Sequence, residues 1–128
     1  MILITGGAYH GKRNYAKQMY PGIDFVDGIS CAEETIFACQ GMDHFHSYIE
    51  NRMREGKKLT ELLAMVEKLA RENPEIVLIT DEIGYGIVPA DAFYREYREM
   101  HGRVCTQIAA EAKEVHRVIC GIGTVIKG

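Results

Sequence analysis

Gly6 and Gly11 stand five residues apart, and Lys12 follows the second directly. This is the spacing of a phosphate-binding loop, G-x-x-x-x-G-K-[ST], up to its last position. Gly6, Gly7, Ala8, Tyr9, His10 and Gly11 form a turn tight enough for backbone N–H groups to converge on an anion. The helix expected from Lys12 turns its positive dipole end to the same point, and Lys12 adds a full charge for the outer phosphates. Where the pattern calls for a Ser or Thr hydroxyl to ligate Mg²⁺ beside the phosphates, this chain carries Arg13. The nucleotide cradle is intact and the loop's metal ligand is replaced.

Phosphoryl transfer also needs Mg²⁺ held against the phosphates, usually by an acid at the end of a neighbouring strand. Two apolar runs end that way, residues 23–28 at Asp27 and residues 75–80 at Asp81-Glu82. In an open parallel sheet every strand's C-terminal end faces the crevice that holds the loop. Asp27 and Glu82 are therefore the candidate catalytic and Mg²⁺-side acids beside Lys12, although an acid at a strand end also serves as an ordinary turn residue. His44 and His46, two apart on an expected helix, point roughly 200° away from each other and cannot share one ion. They read as surface histidines. His101 and His116 carry no signal. Cys31, Cys39, Cys105 and Cys120 form no C-x-x-C pair and read as reduced thiols rather than a zinc site.

The elements that must position these groups alternate. Ile2 to Ile4 is a short apolar strand before the loop, and Lys12 to Met19 a helix stopped by Tyr20-Pro21-Gly22. Ser30 with Glu33 reads as a capping box opening a short helix to about Cys39. Met42, Phe45, Ile49 and Met53 recur at near-helical spacing, and Leu59, Leu62, Leu63, Val66, Leu69 and Ala70 give the strongest amphipathic pattern, closed by Asn73-Pro74. A turn over Gly84 to Pro89 leads into a long helix whose apolar stripe is Phe93, Tyr97, Met100, Val104 and Ile108, read as core packing. Residues 114–120 form the last core strand, with a final extended piece at 124–127. Strands alternating with helices predict an α/β fold, a P-loop NTPase-like three-layer sandwich with a mainly parallel sheet and helices on both faces.

The chain of 128 residues is expected to form one nucleotide-binding domain spanning 1–128. A net charge of −3, with no basic run beyond Lys57-Lys58, argues against a nucleic-acid partner. Apolar runs of only a few residues exclude a membrane-spanning helix. With no secretory signal pattern at the start, a cytoplasmic location is expected.

Residues 79–89, Ile-Thr-Asp-Glu-Ile-Gly-Tyr-Gly-Ile-Val-Pro, then His101-Gly102-Arg103-Val104 and Cys120-Gly121-Ile122-Gly123 with Ile126-Lys127, resemble the C-terminal half of the bifunctional adenosylcobinamide kinase/adenosylcobinamide-phosphate guanylyltransferase family. Thr5-Gly6-Gly7-Ala8 with Gly11-Lys12 is similar to that family's loop, T-G-G-A-R-S-G-K-S. Asp27-Gly28-Ile29-Ser30 is similar to its D-C-L-T strand end, which carries the Mg²⁺-side acid onto Asp27. The resemblance implies an ATP- or GTP-dependent kinase acting on the aminopropanol hydroxyl of a corrinoid, adenosylcobinamide. It also implies a guanylyltransferase working through a covalent histidine–GMP intermediate, and a homo-oligomer, in cobalamin biosynthesis. Three positions depart from the family. Arg13 replaces the loop Ser, Asp81 stands where the family has Asn, and the segment with R-P-x-x-W that carries the guanylylated histidine has no counterpart. The nucleophile is accordingly carried onto neither His44 nor His46. Two other readings stay open: a nucleotide-binding relative of weak activity acting as sensor or partner subunit, favoured by Arg13, and a simple nucleoside-triphosphate hydrolase, favoured by Asp81-Glu82.

Overall fold

The computed structural model describes residues 1–83 and 90–128, so the turn expected over Gly84 to Pro89 lies outside the described residues. The elements run β1 (Ile2–Gly6), α1 (Lys12–Met19), β2 (Phe25–Asp27), a 3₁₀ turn (Glu33–Phe37), β3 (Gly41–Asp43), α2 (Phe45–Arg54), α3 (Leu59–Glu72), β4 (Val77–Asp81), α4 (Ala92–Glu111), β5 (Glu114–Ile119) and β6 (Ile122–Lys127). They build one six-stranded sheet in the order β2-β3-β4-β1-β5-β6. β1 to β5 pair in parallel, and β6 returns antiparallel to β5. Cys120 and Gly121 join that last hairpin with φ of 52° and 77°, the doubly left-handed turn that matches strand twist.

Side-chain alternation along β1 and β4 divides the core into two layers. Ile2 and Ile4 with Val77, Ile79 and Val118 meet Ala16 of α1 on one face. Leu3, Leu78 and Val115 face the other way, into a larger cluster built from Ile36, Met42, Phe45, Tyr48, Ile49, Leu62, Val66, Leu69, Val104 and Ile108. Burying each such aliphatic or aromatic side chain contributes roughly 1.5–3 kcal/mol, so the larger face carries most of the stability. Helices thus cover both faces, as the strand and helix alternation predicts. No helix among the described residues is long and apolar enough to cross a membrane.

Asn73 turns its amide into the joint between α3 and the 3₁₀ turn, donating to Ile36 O at 2.9 Å and Cys39 O at 2.8 Å. On the opposite face Tyr15 and Tyr20 of the α1 region fasten it to β5. Tyr15 Oη lies 2.7 Å from His116 Nδ1, and Tyr20 Oη lies 3.1 Å from His116 Nε2 and donates to Glu114 Oε1 at 3.0 Å. His116, unremarkable in the sequence, is fully buried at the centre of this cluster.

Two elements differ from expectation. The segment opened by Ser30 is a single 3₁₀ turn whose N-cap is Ala32, with no side-chain cap. The helical spacing from Met42 onward conceals a strand: Gly41, Met42 and Asp43 pair with β2, Gly41 and Met42 also with β4, and α2 begins only at Phe45. Met42 is buried as a strand residue beneath the helix rather than as part of its stripe.

Candidate functional site

β1 and β4 are neighbours whose onward connections leave in opposite directions. From β1 the chain passes through α1 toward the β2 edge, and from β4 it passes through α4 to β5. Ligands in open α/β sheets bind at such a switch point, beyond the strands' carboxyl ends. Gly6 and Asp81 are register partners there. A cavity of about 400 Å³ opens at this place, lined by loop and helix residues Ala8, Tyr9, Gly11, Lys12 and Arg13 and, across it, by Asp43, His44, His46 and Asp81.

The loop between β1 and α1 follows the sequence reading. Gly11 caps α1 in the left-handed region with φ of 83°, and Tyr9, at 61°, carries a fully exposed side chain. The first-turn amides of α1 have no intrahelical acceptor and are free for an anion. Gly6 is held by a close approach: a Cβ there would lie 2.4 Å from Val118 O. The turn between β5 and β6 braces the loop from behind. Gly121 N donates to His10 O at 2.7 Å, and a Cβ on Gly11 would meet Gly121 Cα at 3.3 Å. His10 itself turns its ring over Gly7.

Lys12 is buried, and its ammonium donates to Gly7 O at 2.7 Å and pairs with Asp81 Oδ1 at 2.8 Å. Asp81 is also held from the other side. Its backbone N–H donates to His46 Nδ1 at 3.0 Å, so that nitrogen bears no proton, and His46 Nε2 lies 3.4 Å from Asp81 Oδ2. Burial lowers the His46 pKa, against the opposing pull of Asp81, which keeps the imidazole neutral near pH 7. Behind this layer, His101 Nε2 lies 2.8 Å from Thr80 Oγ1, and burial drives its pKa down to about 4.

The structure redistributes the expected acids. Asp81, two residues after Ile79 on the α1 side of β4, meets Lys12. Glu82, one residue later, pairs with Arg117 of β5 at 2.7 and 3.1 Å and does not line the cavity. Asp27 is exposed at the end of β2, where Oδ1 accepts from Ile29 N at 2.9 Å and lies 3.2 Å from His44 Nδ1. Asp27 and Glu82 thus face separate partners, His44 and Arg117. The acid that reaches the cavity from this side is Asp43, register partner of Asp27. Its Oδ1 accepts from His44 N at 2.8 Å, and its Oδ2 lies 3.8 Å from the Arg13 guanidinium. Asp43 was hidden because a three-residue strand is too short to show alternation, and Met42 fits the helical stripe that follows.

His44 and His46 also change place. His44 is the left-handed residue before α2, with φ of 53°, and only His46 is helical. The roughly 200° separation of two helical positions does not apply, and both rings line the cavity with centroids 5.7 Å apart. Neither is an ordinary surface residue.

The model of the cobinamide kinase/cobinamide phosphate guanyltransferase family matches residues 26–126. The chain belongs to this family. Among curated proteins, the bifunctional adenosylcobalamin biosynthesis protein CobU of Escherichia coli K12 is 42% identical to it over 67 residues. The Salmonella typhimurium LT2 protein of the same description is 40% identical over 67 residues. Each match covers 52% of this chain and 37% of the relative, so the chain spans well under two thirds of the curated relatives it matches. The family match begins beyond the loop of residues 6–13, whose case rests on its own geometry.

Proposed function

We propose that residues 1–128 act as one nucleotide-binding domain that transfers the terminal phosphoryl group of ATP or GTP to the hydroxyl of adenosylcobinamide, in the cytoplasmic assembly of cobalamin. The observation that carries this reading is the Lys12–Asp81 pair at the sheet's switch point, facing a cavity lined by the phosphate-type loop, in a chain of the cobinamide kinase family. The loop amides of residues 6–13 bind the phosphates, and Lys12 exchanges Asp81 for the outer phosphate oxygens. Asp43 and Asp81 are then the acids placed to orient or deprotonate an acceptor hydroxyl. This replaces the assignment of Glu82, whose carboxylate is occupied by Arg117, and leaves Asp27 a supporting role through His44. Self-association is supported by edge strand β6, which exposes Ile122, Val125 and Ile126.

The family's nucleotidyl transfer finds a second foothold. Asp27 holds His44 Nδ1 at 3.2 Å, and among the described residues Nε2 has no hydrogen-bond partner. A carboxylate that fixes one imidazole nitrogen and leaves the other free is the arrangement of an activated nucleophile, which supports His44 as the residue that takes up GMP.

One experiment tests both readings. The protein is incubated with adenosylcobinamide and GTP or ATP labelled at either the γ or the α phosphorus. Transfer of γ label to the corrinoid, reduced at least about a hundredfold in Lys12→Ala, supports the kinase; no phosphorylated corrinoid from wild type with either nucleotide removes it. Binding without transfer favours the sensor or partner-subunit reading, and release of phosphate without acceptor favours the hydrolase. Acid-labile α label on wild type but not on His44→Ala supports the nucleophile, and label that persists on His44→Ala removes it.

A further inference from the structure

The chemistry of the cavity does not suit a magnesium ion held by the loop. Mg²⁺ requires oxygen ligands in a near-octahedral shell at about 2.0–2.1 Å, and the loop position that would give a hydroxyl gives the Arg13 guanidinium, a cation with donors only. The two carboxylates of the cavity already face positive groups, Asp81 the Lys12 ammonium at 2.8 Å and Asp43 the Arg13 guanidinium at 3.8 Å. Asp43 also has one oxygen committed to His44 N. Among the described residues no group of three or more His, Cys, Asp or Glu side chains is arranged to hold a metal ion.

The same features suit a polyanion bound without metal. Arg13 stands on the first turn of α1 next to Lys12 and lines the cavity. Its side chain is about half exposed and its contact with Asp43 is long, at 3.8 Å. At that distance the contact is not a hydrogen bond, so Arg13 leaves Asp43 without breaking one. A guanidinium that turns to phosphate presents a planar fork matched to two of its oxygens. Lys12 and Arg13 then supply two adjacent positive charges at the place where a Ser or Thr loop relies on Lys and Mg²⁺.

We propose that Arg13 takes the place of the loop-bound metal ion in holding the ligand, so that the nucleoside triphosphate binds this cavity without needing a metal ion, with the Arg13 guanidinium passing from Asp43 to the outer phosphate oxygens. The inference rests on the nucleotide reading above and deepens it: it names the group that meets the charge of the outer phosphates. Asp43 is the resting partner that holds the guanidinium over the cavity until phosphate arrives.

Calorimetric titration of wild type, Arg13→Ser, Arg13→Lys and Lys12→Ala with GTP, and separately with ATP, in EDTA and in excess Mg²⁺ tests it. Wild type is expected to bind with affinities within about twofold of each other in the two buffers. Arg13→Ser, which restores the pattern hydroxyl, is expected to bind about 10- to 100-fold more weakly than wild type in EDTA, the weight of one or two charged hydrogen bonds, and to recover affinity in Mg²⁺. Arg13→Lys keeps a charge and retains the metal independence at reduced affinity. Wild-type binding that tightens tenfold or more with Mg²⁺, or Arg13→Ser binding as tightly as wild type in EDTA, overturns the proposal while leaving the nucleotide reading standing. No binding by wild type in either buffer, or binding that Lys12→Ala leaves unchanged, overturns both.

Discussion

His101 offers a quantitative test of the layer behind the site. It is 5% exposed, its Nε2 faces Thr80 Oγ1 at 2.8 Å, and Thr80 directly precedes Asp81. Burial is the leading cause that takes its pKa from 6.5 down to about 4. The imidazole is therefore neutral in the folded protein at pH values where the unfolded chain has already taken up a proton. Between pH 6.5 and about 4 the unfolded state binds more protons, so stability falls as the pH falls through that window. At about 1.4 kcal/mol per pH unit the full loss is roughly 3 kcal/mol, and integration from pH 7 to pH 5 gives about 2 kcal/mol. Denaturant midpoints of wild type and His101→Gln, measured at both pH values with m-values compared, isolate this share. Glutamine keeps a polar partner for Thr80 and does not titrate. His46, also lowered by burial, acts in the same direction in both proteins, so the difference reports His101 together with its repulsion by His46. Wild type is expected to lose about 2 kcal/mol more than His101→Gln over this range. Losses that agree within about 0.5 kcal/mol would refute the assignment of a buried, neutral His101.

Two further substitutions probe the supports of the loop and the core. A Cβ at Gly123 would lie 2.0 Å from Tyr15 Cε2, so Gly123→Ala must expel the ring and break its 2.7 Å contact with His116 Nδ1. Urea unfolding should show a loss of about 1–3 kcal/mol, with weaker nucleotide binding because α1 loses its anchor, while Tyr15→Phe reports the hydrogen-bond share alone. Asn73→Ala removes two bonds to the 3₁₀ segment and should cost about 1–3 kcal/mol in the same assay, with nucleotide affinity unchanged because Asn73 is remote from the cavity lining.

The site was legible in the sequence where a local pattern carries its own geometry, and illegible where geometry depends on pairing partners. The loop of residues 6–13 could be read because glycine spacing and strand-to-helix context dictate the backbone by themselves. Asp43 could not, because its strand exists only through hydrogen bonds to β2 and β4, and three residues give no periodicity of their own. The same pairing ends β3 before the helix begins, leaves His44 in the left-handed region, and so undoes the helical angle that set His44 and His46 apart. The choice between Asp81 and Glu82 turned on strand alternation, since the residue in register with the side chains facing α1 meets Lys12 and its neighbour meets Arg117. His101 and His116 carry no motif, and their roles come from burial that only the packed sheet creates.

The segment 120–123, part of the resemblance to the family, acts on the loop from outside the cavity lining. Cys120 and Gly121 make the tight turn into β6, Gly121 N holds the carbonyl of His10, and Gly121 Cα packs behind Gly11. Gly123 leaves room for Tyr15, which together with Tyr20 fixes α1 to His116. The curvature of the loop is thus set from two sides, by β1 leading into it and by the β5–β6 turn beneath it. A loop shaped in this way can change the residue at position 13 without losing its form, because none of the contacts that shape it involve the Arg13 side chain. Position 13 is consequently free to vary while the loop keeps its form.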